Sequence, residues 1–128
     1  MKVDTARVLE RRRAERDALL ARGAAFAADL PGSLDVQAVV VFGSVARGDF
    51  NKWSDVDVLV VAEQVADDPL ERQRAVEPAP GRVQPVLWTP QEYRRRRRQR
   101  DPIALETWSK GVWLRGSRHD PELRAPSS

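Results

Sequence analysis

Two short, valine-rich runs limit most strongly what this chain can fold into. Residues 36–42 and 55–62 are each of strand length, and β-branched side chains favour strands over helices. Gly43 ends the first run, and a polar connection leads into the second. Both runs are far shorter than the roughly 20 apolar residues that span a bilayer. The pattern therefore predicts two core strands and no membrane span.

The sequence around these runs predicts helices. Within residues 5–28, apolar pairs recur at spacings of 11 and 7, which brings them to one helix face. A capping box, Thr89-Pro90-Gln91-Glu92, is typical of a helix start. The other predicted elements are a turn of helix at 45–47, a helix from Pro69, a strand at 82–88, a helix to Arg100, a helix from Pro102 to Lys110 and a strand at 112–114. This order predicts an α/β (α+β) fold, a small mixed β-sheet with helices packed on it.

Composition and length narrow the possible classes of protein. The chain has 128 residues, no cysteine and one histidine, His119, so disulfides, thiol nucleophiles and histidine-based triads are poor candidates. A single domain over residues 1–116 is expected, followed by a polar, mobile tail over residues 117–128. The first residues are charged rather than apolar, which favours a cytoplasmic protein.

Two acidic residues stand where a strand would not ordinarily hold them. Asp55 and Asp57 are two apart in the second run, so their side chains point to the same face. Aspartate is disfavoured in strands, and like charges on one strand face repel. A magnesium ion takes oxygen ligands and would turn this repulsion into binding. The pair therefore predicts a Mg²⁺ site.

The end of the first run predicts a place for phosphate. Gly43 and Ser44 form a tight corner between strand and helix, where backbone N–H groups and a hydroxyl can approach phosphate oxygens. Arg47 and Lys52 are close enough in sequence to neutralise phosphate charge. A phosphate-binding corner beside a carboxylate pair is the minimum equipment for phosphoryl or nucleotidyl transfer.

A family signature runs through this region: it consists of Gly43-Ser44, ten further residues and then Asp55-Val56-Asp57. The pattern resembles the minimal nucleotidyltransferases of the DNA polymerase beta-like nucleotidyltransferase superfamily, over roughly residues 36–88. The resemblance implies a nucleotidyltransferase-like fold in which Asp55 and Asp57 bind Mg²⁺ carried by a nucleoside triphosphate. It implies that Gly43 and Ser44 hold the β- and γ-phosphates while an acceptor hydroxyl attacks the α-phosphate.

The third predicted strand departs from that family. Active members usually bring a third carboxylate from a later strand, whereas residues 82–88 contain no acid and place Gln84 at that position. A glutamine amide cannot accept a proton near neutral pH. The missing acid leaves open a nucleotide-binding module with weakened catalysis.

Members of the family also often accompany a helical HEPN-type partner, some as antitoxins that adenylylate it.

A run of arginines follows the predicted capping box. Its members are Arg94, Arg95, Arg96, Arg97, Arg98 and Arg100. They cover nearly the whole circumference of a helix, so no face remains for a core, and like-charged pairs four apart each cost about 0.2–0.5 kcal/mol. The run is interpreted as a solvated helix, or as a surface for a partner protein or RNA.

These observations predict a Mg²⁺-dependent nucleotidyltransferase. It would transfer a nucleoside monophosphate, AMP from ATP, to a hydroxyl of a protein or RNA, and the resemblance implies a role as the antitoxin of a HEPN-type toxin. The alternatives are a catalytically weakened nucleotide-binding partner of a helical protein, and a small basic nucleic-acid-binding protein that uses the arginine run. The sequence leaves the oligomeric state open.

Overall fold

A computed structural model describes residues 4–77, 79 and 81–124, with helices packed on a mixed sheet. The strands are β1 (Val36–Phe42), β2 (Val56–Ala62), β3 (Val83–Trp88) and β4 (Val112–Arg115). The helices are α1 (Thr5–Ala28), α2 (Ser44–Arg47), α3 (Pro69–Ala75), α4 (Pro90–Arg98), α5 (Pro102–Lys110) and α6 (Pro121–Arg124), with a 3-10 turn at Gly32–Leu34. The predicted α/β fold class is confirmed.

The sheet has the strand order β3-β2-β1-β4. Strand β1 is antiparallel to both β2 and β4, and β2 is parallel to β3. Alternate residues of β2 enter two separate apolar clusters, one with α1 and one with α4 and α5. Because helices cover both faces of the sheet, the central strands are continuous apolar runs rather than alternating ones. The acidic start of β2 is the exception, and it marks the candidate site.

Helix α1 is buried only over its C-terminal half. Leu19 and Phe26 lie in the core, whereas Val8 and Leu9 are 41% and 60% exposed. Val8 and Leu9, one of the apolar pairs expected on a common helix face, are therefore not covered by the core. The N-terminal half of α1 contacts α2 through arginines instead: Arg12 donates to the Gly48 carbonyl at 2.9 Å and Arg16 to that of Val45 at 3.1 Å.

The capping box predicted for α4 is present. The Thr89 hydroxyl accepts from the Glu92 N–H at 3.1 Å, and the Glu92 carboxylate accepts from the Thr89 N–H at 3.0 Å. Helix α4 ends at Arg98 rather than at Arg100, because Arg100 adopts a left-handed conformation with φ 62°. The Asp101 N–H then closes the turn on the Arg96 carbonyl at 2.9 Å.

Two arginines of the run, Arg96 and Arg97, lie against aromatic rings of neighbouring elements. The Arg97 guanidinium lies 3.8 Å from the Trp108 ring centroid and 4.8 Å from that of Tyr93, and Arg96 lies 4.5 Å from that of Trp88. Guanidinium groups stack on aromatic faces with a cation–π attraction, and their aliphatic stems add apolar contact. The expectation of a fully solvated helix is corrected for Arg96 and Arg97.

The C-terminal segment is packed rather than mobile where the structure describes it. Residues 121–124 form α6, whose Leu123 is fully buried in the cluster that contains α4 and α5. Arg94 donates to the Glu122 carbonyl, and Arg97 donates to the Leu123 carbonyl. The tail expected over residues 117–128 is therefore corrected for 121–124, because one apolar side chain and two arginines fix it. Residues 125–128 lie outside the described part.

Among the described residues, no helix is both long enough and apolar enough to cross a bilayer.

Candidate active site

The corner between β1 and α2 brings Gly43 against Asp57. Gly43 has φ 75° and ψ −152°, a conformation that is essentially restricted to glycine. A Cβ atom at this position would collide with the Asp57 carboxylate oxygen and would lie 3.3 Å from the carboxylate carbon. The β1–β2 register explains the approach, since Phe42 pairs with Asp57 across the antiparallel ladder. The glycine is thus required by both its conformation and its neighbour.

The two aspartates lie at the start of β2 in different electrostatic surroundings. Asp55 precedes the strand, and its Oδ1 accepts from the Arg82 Nε at 3.1 Å. Burial raises the pKa of Asp57, and the negative charges of Asp55 and Glu106 raise it further, while Arg47 opposes them. A divalent cation would relieve this repulsion, because it favours the ionised form of both carboxylates. The electrostatic surroundings of the two aspartates are therefore those expected of residues that bind a divalent cation.

Glu106 is a member of this site that the sequence analysis missed. It lies on α5, and its Oε1 accepts from the Gly43 N–H at 3.2 Å and from Arg47 at 2.8 Å. Its side chain is 25% exposed. No motif marks Glu106 in the sequence, because it follows Gly43 by 63 positions and only the packing of α5 on the sheet brings it near.

The two basic residues expected at the site, Arg47 and Lys52, make different contacts. Arg47 pairs with Glu106 and, at 3.3 Å, with Asp49, and these hydrogen bonds raise the pKa of Arg47 above its ordinary value. Lys52 lies over the exposed Trp53 ring instead, with Nζ 5.1 Å from the ring centroid. Within the described part of the chain, Lys52 forms no ion pair with either aspartate.

Gln84 lies directly beside Asp57. In the parallel pairing of β2 with β3, Asp57 is opposite Gln84 and Val56 is opposite Val83. Val83 faces the cluster that contains α1, whereas Gln84 shares its side of β3 with Trp88, on the α4 and α5 side of the sheet. The side chain that stands next to Asp57 on the neighbouring strand is therefore an amide and not a carboxylate.

The donor set at this corner suits magnesium held jointly with a substrate. Among the described residues no group of three or more His, Cys, Asp or Glu side chains is arranged to hold a metal ion alone. Mg²⁺ is usually bound through one or two carboxylates together with substrate phosphates and water. Asp55 and Asp57 fit this pattern, whereas a site made only of protein ligands does not.

Comparisons with known proteins bear on the family and the fold of this chain. A family model described as a nucleotidyltransferase domain matches residues 25–97. Two solved structures have similar folds at low identity. A candidate nucleotidyltransferase from Sulfolobus solfataricus is 21% identical and superposes with a TM-score of 0.60 over 80% of this chain and 84% of its own. A chain of a toxin–antitoxin crystal structure with AMP-PNP is 20% identical, with a TM-score of 0.54 over 82% of this chain and 79% of its own.

A search of curated proteins gave no match. The family match nevertheless covers more than half of the chain and includes Gly43, Ser44, Asp55 and Asp57. The chain belongs to the nucleotidyltransferase domain family.

Proposed function

We propose that this protein transfers AMP from ATP to a hydroxyl of a protein or RNA acceptor in the cytoplasm, with Mg²⁺. One observation carries the proposal: the Gly43 backbone is packed against the Asp57 carboxylate, with Asp55 two residues away and Arg47 one turn along. In this arrangement a backbone N–H and a guanidinium lie beside two carboxylates, which supports a role for the former in binding phosphate and for the latter in holding a metal. The match to the nucleotidyltransferase domain and the fold neighbour with AMP-PNP support the same class of reaction.

Asp55 and Asp57 are the residues that would hold Mg²⁺, together with phosphate oxygens of the nucleotide. Bound there, the metal would supply charge neutralisation for the triphosphate and for the leaving pyrophosphate. Asp55 accepts from Arg82 through Oδ1, which leaves its second oxygen for a ligand. Arg82 also donates to the Trp53 carbonyl, so it orders the loop that precedes the aspartates.

The residues of the corner would bind the β- and γ-phosphates. The Gly43 N–H, the Ser44 hydroxyl and the Arg47 guanidinium are hydrogen-bond donors, and donors that are already oriented stabilise charge at low reorganisation cost. The acceptor hydroxyl would then attack the α-phosphorus in line. One P–O bond forms as the bond to pyrophosphate breaks, and the hydroxyl proton is released.

Transfer of label from ATP tests this proposal. With α-labelled ATP, Mg²⁺ and a cell extract as acceptor, wild type transfers label to protein or RNA. Asp55→Asn and Asp57→Asn lose at least about 100-fold of this transfer, since electrostatic stabilisation by one such group is commonly worth that much. Asp17→Asn, at an exposed position on α1, serves as the matched control and retains full activity. Transfer that survives both site substitutions would contradict the proposal.

A second candidate function is a nucleotide-binding partner module with weak catalysis. The observation that favours it is the pairing of Gln84 with Asp57, because the amide offers no base beside the aspartate. Gln84→Asp distinguishes the two functions. A weakened module gains transfer in this variant without tighter nucleotide binding, whereas an already competent enzyme loses activity or is unchanged.

For either function we propose a helical, HEPN-type protein as the partner. The fold neighbour from a toxin–antitoxin structure supports a protein partner, and the HEPN type rests on the family resemblance. Co-purification with the product of an adjacent reading frame tests it, and complex formation should survive Asp55→Asn and Asp57→Asn. Loss of the complex in these variants would mean that the partner is held through the nucleotide site.

The arginine run supports nucleic-acid binding less well than its composition indicates. Arg94 and Arg97 hold α6, and Arg96 pairs with Asp101 at 3.3 Å while stacking on Trp88. Arg95, Arg98 and Arg100 are exposed and remain the proposed contact surface. Reversal of the Arg95 and Arg100 charges should leave the fold intact, and it should strongly weaken RNA retention if the run binds RNA.

A further inference from the structure

Glu106 occupies two of the hydrogen-bond donors at the Gly43 corner. One carboxylate oxygen, Oε1, accepts from the Gly43 N–H at 3.2 Å and from Arg47 at 2.8 Å. An oxygen that accepts from a backbone N–H and a guanidinium together has the surroundings of a phosphate oxygen. The chain therefore supplies an anion of its own at this corner.

We propose that Glu106 holds the place of the nucleotide's phosphate oxygens and must be displaced before a triphosphate binds. This inference rests on the proposed function, which assigns the Gly43 N–H and Arg47 to the triphosphate. Glu106 thereby sets the affinity for nucleotide, as a positioning residue that does not touch the reacting atoms. It orients Arg47 until the triphosphate takes its place.

The surroundings of Glu106 allow its side chain to leave without moving its helix. The next residue, Thr107, is fully buried, and its hydroxyl lies 2.9 Å from that of Tyr93, which fixes the α5 backbone. The Glu106 side chain is 25% exposed and has three rotatable bonds, so it can turn toward solvent. Exchange then requires only a change of rotamer.

Electrostatics favour this exchange when the arriving ligand carries several charges. Glu106 and Asp57 are close enough for the charge of one to disfavour the charge of the other. Moving the Glu106 carboxylate into water separates two like charges, and a Mg²⁺–triphosphate brings both an anion for Arg47 and a cation for Asp57. A singly charged anion offers no such replacement.

The test compares nucleotide affinity in Glu106→Gln and in wild type. Glutamine keeps an oxygen that can accept from the Gly43 N–H, so the fold is preserved, but it loses the charge that competes with phosphate. Calorimetric titration with Mg²⁺ and AMP-PNP should give a Kd about tenfold lower for Glu106→Gln, the factor that corresponds to about 1.4 kcal/mol. Glu10→Gln, which removes the same charge from an exposed position on α1, should leave the Kd within about twofold.

A double variant tests whether the gain passes through Arg47. Arg47→Met/Glu106→Gln should bind nucleotide no more tightly than Arg47→Met alone, because the guanidinium that Glu106 would release is absent. A gain that persists without Arg47 overturns the assignment of Arg47 to the exchange.

The remaining outcomes separate this inference from the proposed function. Unchanged or weaker binding in Glu106→Gln, with wild type binding normally, overturns the role of Glu106 alone. Absence of binding in all folded variants, checked by circular dichroism, overturns the nucleotide site and this inference together.

Discussion

Replacement of Gly43 by alanine separates the strain of the corner from its chemistry. At φ 75° and ψ −152° a side chain costs about 1–3 kcal/mol. The added Cβ also collides with the Asp57 carboxylate, which must rotate away at a further cost of about 0.5–1.5 kcal/mol. We expect Gly43→Ala to lose about 2–4 kcal/mol of the free energy of unfolding, which leaves a typical domain folded.

Gly48→Ala is the matched control, five residues away in the same segment. Gly48 also has a positive φ, 92°, but an added Cβ would meet nothing within 4 Å. The left-handed conformation alone costs about 1–2 kcal/mol. This variant should therefore lose stability without moving Asp57.

Urea unfolding and calorimetric titration with Mg²⁺ and AMP-PNP measure the two effects. Gly43→Ala should bind at least about tenfold more weakly than wild type, because Asp57 no longer points at the corner, whereas Gly48→Ala should bind within about twofold. If Gly43→Ala binds as tightly as Gly48→Ala, the contact between Gly43 and Asp57 does not shape the site and the reasoning is wrong.

Three further predictions concern stability. Asp57→Asn should raise Tm while removing Mg²⁺-dependent nucleotide binding, because burial raises the pKa of Asp57 and its charge at pH 7 opposes folding; a lower Tm by calorimetry would contradict this. Burial alone would raise the pKa of Glu92, but hydrogen bonds from Arg72 and the Thr89 N–H lower it below its ordinary value. These hydrogen bonds therefore stabilise the fold fully above about pH 4.5, and this stabilisation is lost as the pH falls through the lowered pKa of Glu92. In Arg72→Met the free energy of unfolding should thus fall less steeply on acidification than in wild type. An unchanged dependence on pH would exclude the Arg72–Glu92 pair as the cause of that fall. Tyr93→Phe removes a buried hydrogen bond and should cost about 1 kcal/mol in urea unfolding, without changing nucleotide affinity.

Local patterns predicted those parts of the fold that local energies determine. The valine runs became β1 and β2, and the Thr89 capping box starts α4, because strand length and capping depend on neighbouring residues. The spacing of Gly43 and Asp57 indicated a shared site, and the β1–β2 register brings them into contact.

The unpredicted features depend on contacts between distant segments. Glu106 reaches Gly43 only because α5 packs on the sheet, and Leu123 is buried only because Arg94 and Arg97 hold its helix. Charge counting alone describes the arginine run as solvated, since it does not show that aromatic rings lie beneath it. Tertiary packing determines these features, and a single sequence carries no local signal for it.

The short helix α2 is fastened from both ends by distant parts of the chain. Glu106 accepts from the residue before it, Arg16 of α1 donates to the Val45 and Ala46 carbonyls within it, and Arg12 donates to the carbonyl of the residue after it. A loop ordered in advance has little conformational entropy left to lose, so recognition of a nucleotide here would not be coupled to folding. Binding should then be accompanied by a small change in heat capacity, and the backbone amides of Arg47 and Gly48, which donate to the Gly43 and Ser44 carbonyls, should already be protected from hydrogen exchange in the free protein.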